Sequence, residues 1–176
     1  MAVKIEVRNQ QKSLLINPRR IKRLAGAILR AEGVVQADLS LVFVTDRAMR
    51  ILNRDFHHQD MATDVLSFDL SEPGWSRQTR DPARQRVTAV EGEIVVSAVT
   101  ARRNARVFAS TPQREVLLYV IHGLLHLLGY DDHAAGPRRQ MRAKERQLML
   151  LAEDEIVPAP RLPDRRGGGP HQTQIT

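Results

Sequence analysis

The chain has no cysteine in its 176 residues, which excludes disulfides and cysteine-ligated zinc and is compatible with a reducing compartment. Aromatic residues make up only 4% of it, too few for a surface that stacks nucleobases in series. No apolar run approaches the roughly 20 residues of a membrane span. The opening MAVKIEVRNQ alternates like a strand and does not read as a secretory leader. These absences leave a soluble chain, long enough to bury a core without staples. Acidic residues are in deficit: 27 Lys and Arg face 20 Asp and Glu, a formal net charge of +7. With a pI near 10.7, the balance favours a polyanionic partner held mainly through its phosphates. A solvated arginine-rich surface would give the same balance, so charge alone does not identify the partner.

What is present alternates irregularly between strand and helix signals. VKIEVR (3–8) and LSLVFVT (39–45) read as strands, and Val65 to Phe68 and Glu93 to Ser97 as two more. Asn17-Pro18 opens a helix whose apolar face (Ile21, Leu24, Ala25, Ile28, Leu29) runs to a Gly33 stop. Asp46 reads as the cap of a second helix with Met49, Leu52 and Phe56 as its buried stripe. A third helix carries Arg102, Arg103 and Arg106. A fourth, opened by Thr111-Pro112 and running to about Leu128, is apolar nearly all round, as a central helix is. Arg138 to Leu151 makes a last amphipathic helix, with Met141, Leu148 and Leu151 inward. Residues 71–90 lack periodicity and read as a long mobile loop, and 158–176 as a disordered tail that includes His171. The expected class is α+β, one domain over 1–157, with a small mixed sheet of about four strands and one central helix.

The chemistry concentrates in HGLLHLLGYDDH, residues 122–133. His122 and His126 are four apart and so share a helix face, Gly129 breaks the helix, and His133 follows the break. Three imidazoles converging from a helix and its turn can hold one Zn²⁺ per chain with a fourth position left for water, the ligand count of a catalytic site. A single histidine on an apolar helix is more often a core residue bonded to a carbonyl; three with a glycine break are harder to explain by packing. The motif overlaps HExxHxxGxxH at two histidines and the glycine, but Gly123 stands where a metalloprotease keeps its general base, which disfavours peptide hydrolysis.

HGLLHLLGYDDH resembles the HGxLHLxGYDH signature of the YbeY family of zinc-dependent, single-strand-specific endoribonucleases. LNRDFHHQDMATDVLSF (52–68) is similar to that family's LNxxYRxxDxxTDVLSF block, and GEIVVS (92–97) to its GDIxIS strand. The three blocks lie in family order, and the likeness covers about residues 3–152. The resemblance implies a zincin-like α+β fold, a cytoplasmic location and zinc on His122, His126 and His133. It further implies single-stranded RNA as substrate, action at the 3′ end of small-subunit rRNA and in ribosome quality control, and the small ribosomal subunit or its proteins as partners.

The chain departs from the signature twice. The family's third histidine falls on Asp132, with His133 one residue later, so either a bulged turn delivers His133 or Asp132 itself coordinates. Imidazole suits zinc and a loop absorbs a residue cheaply, which favours His133. The arginine of the family's YR pair falls on His57, which could contact phosphate only when protonated; an exposed bystander is the plainer reading, and His58, Arg54 or an arginine of the 71–90 loop could compensate. Asp131 or Asp132 could orient the attacking water, since position 123 offers no carboxylate. Glu115, seven residues before His122, could support a ligand imidazole, although a solvated first-turn glutamate is the simpler account. Two other classes share the site: a hydrolase of small phosphoesters or amides, which needs no positive surface, and a non-catalytic ribosome assembly factor stabilised by zinc.

Overall fold

A computed structural model describes residues 2–71 and 89–156, with side chains described to residue 152. Strand β1 (Ala2–Asn9) leads to α1 (Pro18–Ala31), β2 (Gln36–Val44), α2 (Asp46–His57) and β3 (Val65–Asp69). Then follow β4 (Ala89–Ser97), α3 (Ala98–Val107), α4 (Pro112–Leu127) and α5 (Ala135–Ile156). The sheet order is β1-β2-β4-β3, parallel throughout except for the antiparallel edge strand β3. The fold is therefore α+β with a four-stranded mixed sheet, as the pattern of elements indicates.

Side chains alternate across a strand, and the two faces of this sheet meet different helices. Leu39, Leu41 and Phe43 of β2, with Val90, Ile94 and Val96 of β4, join α1, α4 and α5 in the main core. Val42 and Val44 face the other way and meet Met49 of α2 with Leu66 and Val95 in a smaller cluster. The rest of that second face is polar: Lys4 pairs with Asp38 at 3.0 Å, and Arg8 with Glu93 at 2.8 Å. Thus α2 and α4 lie on opposite sides of the sheet.

Helix boundaries follow local chemistry. The Asn17 side chain accepts from Arg19 and Arg20 amides, and Pro18 takes the first helical position. Thr45, and not Asp46, caps α2; Asp46 is its first helical residue, and its carboxylate accepts from the hydroxyls of Ser97 and Thr100 and from Arg103. That carboxylate ties the start of α2 to α3, because the two helices begin side by side at the end of the sheet. In α2 Met49 is fully buried, but Phe56 is 62% exposed and packs only edge-on against Phe68 of β3. The expected buried stripe therefore ends before Phe56. Strand β4 begins at Ala89, so the end of the expected 71–90 loop is strand; residues 72–88, like 157–176 with the expected tail and domain boundary, lie outside the described residues.

Candidate metal centre

Helix α4 carries the histidines because the rest of it is a core element. Val116, Val120, Ile121, Leu124 and Leu125 are buried, and only one polar stripe escapes them. Glu115, Tyr119, His122 and His126 follow one another at spacings of four, three and four, so they share one side of the helix. Glu115 is not the solvated first-turn residue expected: it is 4% exposed, beside the Tyr119 hydroxyl, which also accepts from Asn104 Nδ2 at 2.9 Å. No hydrogen bond joins Glu115 to a histidine among the described residues.

Gly129 ends α4 in a left-handed conformation, φ 87°. Its N–H donates to the His126 carbonyl and that of Tyr130 to Leu125, both at 2.9 Å, the paired closure that a C-terminal glycine permits. The chain then doubles back across the helix end with Tyr130 packed on the main core. That reversal brings Asp132 to the two imidazoles.

His122 and His126 face each other through Nε2 at 3.0 Å, and the Asp132 carboxylate lies 4.0 Å from His122 Nε2 and 3.9 Å from His126 Nε2. Donors sharing a Zn²⁺ at about 2.0 to 2.2 Å stand roughly 3 to 3.5 Å apart, so small side-chain movements suffice for a common ion. The three side chains are 27%, 30% and 40% exposed, which leaves the far side of such an ion open to solvent. Two imidazoles and one carboxylate, with an open position, are a donor set of the catalytic kind.

His133 is not among the donors gathered with His122 and His126. Its side chain is 87% exposed, its ring Nδ1 and its backbone N–H both meet Asp131 Oδ1, and Nδ1 stands 3.7 Å from Asp132. Closure at Gly129 brings Asp132, the third residue after the glycine, to the pair, while Asp131 bonds the His133 ring. Arg138 fixes the loop by donating to the carbonyls of Asp132 at 2.8 Å and His133 at 3.1 Å.

The titration behaviour follows from these contacts. Burial opposes protonation of His122, but the Glu145 carboxylate bonded to it, with Asp132 and Asp64 nearby, raises its pKa overall. Burial and the neighbouring His122 lower that of His126, keeping its imidazole neutral and available as a donor. Asp131 raises His133, and His133 lowers Asp131 in return.

Other candidates stand apart. His57 is exposed at the end of α2, across the sheet from α4, and its side chain makes no hydrogen bond or ion pair among the described residues. His58 caps α2 with a left-handed backbone, φ 57°, and Arg54 pairs with Asp55. Of the α3 arginines, Arg103 is bonded to Asp46 and Arg102 to the Ser13 carbonyl. Helix α5 carries four exposed arginines, Arg138, Arg139, Arg142 and Arg146, of which Arg138 is bonded to the loop that bears Asp132.

Sequence reasoning missed Glu145, whose Oε1 is 2.7 Å from His122 Nδ1. Its only signal is a place on α5 four residues after buried Met141 and three before buried Leu148.

The family model described as Endoribonuclease YbeY matches residues 6–152. A relative named Endoribonuclease YbeY from Anaeromyxobacter dehalogenans is 42% identical over 130 residues, 74% of this chain and 62% of that protein. A second Anaeromyxobacter protein of that name is matched over the same shares, so the chain spans about three fifths of the length of these two relatives. One from Geobacter sulfurreducens is 33% identical over 154 residues, 86% of this chain and 97% of that one. Among solved structures, the solution structure of a Thermotoga maritima protein superposes with a TM-score of 0.58 at 27% identity, covering 86% of this chain and 90% of that one.

Proposed function

The chain belongs to the YbeY endoribonuclease family, and on that premise we propose that it is a zinc-dependent endoribonuclease that cleaves single-stranded RNA. The observation that carries the reading is the convergence of His122, His126 and Asp132 on one solvent-facing point. A Zn²⁺ held there supplies a Lewis acid for a phosphate oxygen and lowers the pKa of water.

The chain's own residues do the rest. His122 and His126 would hold the metal through their Nε2 atoms, with Asp132 as the third ligand. Asp131 accepts from His133 Nδ1–H and so leaves His133 Nε2 free at the mouth of the site, where it can take a proton from the attacking water or return one to the leaving oxygen. The exposed arginines of α5 hold the RNA backbone, and His57 is a further phosphate contact on the other side of the sheet. The cellular role that fits is maturation of the 3′ end of small-subunit rRNA and ribosome quality control in the cytoplasm, with the small ribosomal subunit as partner. No helix among the described residues is long and apolar enough to cross a membrane.

The test is His122→Ala and His126→Ala. Each should lose zinc and cleavage together while circular dichroism shows the fold intact, because neighbouring leucines supply the core. Full zinc occupancy in either variant would sink the assignment. Cleavage of small phosphoesters but not RNA, or zinc binding with no cleavage at all, would favour the two other classes.

A further inference from the structure

Two consecutive residues of α5 tie that helix to the elements around the metal centre. Lys144 Nζ pairs with Glu32 Oε1 at 2.7 Å at the end of α1, and Glu32 Oε2 accepts from the Tyr130 hydroxyl at 3.2 Å. This joins α5, α1 and the loop that carries Asp132. Met141, Leu148 and Met149 are buried, which fixes the rotation of α5 and turns the next side chain, Glu145, inward. Its carboxylate is only 17% exposed and meets His122 Nδ1 at 2.7 Å.

A neutral imidazole has one N–H, and an ionised carboxylate only accepts. The Glu145 contact therefore draws that proton to Nδ1 and leaves a lone pair on Nε2, the nitrogen that faces His126 and Asp132. His126 is served by the Tyr130 backbone instead. The geometry points to Glu145 as a positioning residue that sets the tautomer and ring orientation of His122 and thereby strengthens the hold on the metal. Such partners typically matter by about 10- to 100-fold in metal affinity.

The inference rests on the metal-site reading, so its test needs one readout that does not. In the full chain stripped of metal, at mildly alkaline pH, ¹⁵N NMR of the imidazoles should show His122 as the Nδ1–H tautomer. Glu145→Ala should shift it towards Nε2–H, and Glu145→Gln, whose Oε1 still accepts, should restore Nδ1–H. Zinc affinity measured against a competing chelator should fall by about 10- to 100-fold in Glu145→Ala and by much less in Glu145→Gln. A folded Glu145→Ala with unchanged tautomer and zinc affinity would overturn the inference, as would equal losses in the two variants. If the wild-type chain binds no zinc, the functional reading fails, while the tautomer still decides the role of Glu145.

Discussion

Gly123 lies against Ile94 so closely that a Cβ there would come 2.7 Å from Ile94 Cγ2, and 2.9 Å from Ser67 Oγ. Ser67 Oγ also donates to the Gly123 carbonyl at 3.3 Å. The helix that bears the histidines is thus seated directly on β3 and β4, and this seat leaves no room for the glutamate that a metalloprotease carries at the same point. Gly92 of β4 repeats the arrangement one turn on, where a Cβ would come 2.8 Å from Leu127 Cδ1. Gly123→Ala should cost about 1 to 3 kcal/mol in urea unfolding and lower RNA cleavage, since α4 must lift from the sheet and take His122 with it. An alanine variant of native stability would show that this packing is looser than described.

The third ligand can be read from zinc content. Asp132→Ala should lose bound zinc, and His133→Ala should keep it while cleaving RNA more slowly, because His133 is held outside by Asp131. The reverse pattern would mean that the loop rearranges to bring His133 to the metal.

Alkaline pH probes the polar stripe of α4. Burial, with the nearby Asp64 and Glu115, pushes Tyr119 up to about 12 from its ordinary 10.0, although Asn104 donates to it. Since the folded value is the higher, the contribution to stability is complete below pH 10 and is lost as pH rises from 10 to about 12. Tyr119→Phe should flatten that part of the stability profile, and phenolate absorbance in the native protein should show one tyrosine titrating near its upper end. Ionisation of both tyrosines near 10 in the folded protein would contradict the placement.

RNA binding should be salt-dependent and sequence-tolerant. Arg142→Gln should reduce the slope of log affinity against log salt for a single-stranded oligonucleotide by about 0.7. Arg103→Gln should leave the slope unchanged, because Arg103 is already bonded to Asp46. Equal effects of the two would move the RNA path towards α3.

Much of this was legible in the sequence where a signal is local. Asn17-Pro18, Thr111-Pro112 and the alternation of VKIEVR lie within one element each, and the elements they predict are present. The helical pair His122 and His126 needed only a spacing of four. The third donor needed the direction of the chain after Gly129, which depends on two backbone hydrogen bonds and on Tyr130 meeting the core. Signature spacing points to Asp132 and the preference of zinc for imidazole to His133, and in the structure it is Asp132 that lies with the two histidines. A first-turn glutamate is usually solvated, whereas Glu115 is buried on a helix that packs against α3, a contact the sequence does not display. Periodicity puts Phe56 in the buried stripe but cannot show how deeply each position on that stripe is covered, and the ring is 62% exposed. Glu145 comes from 23 residues away on another helix, a relationship that only tertiary packing creates.

If metal at the His122, His126 and Asp132 cluster enables cleavage of RNA, cleavage must follow the metal as it is removed and returned. The purified chain would be stripped with a chelator, reloaded with one equivalent of Zn²⁺, and given a single-stranded RNA and its duplex at each stage. Cleavage of the single strand should disappear on stripping, return with zinc, and spare the duplex. Cleavage that persists at full rate in the stripped protein, or a reloaded protein that leaves single-stranded RNA intact, would contradict that role for the metal.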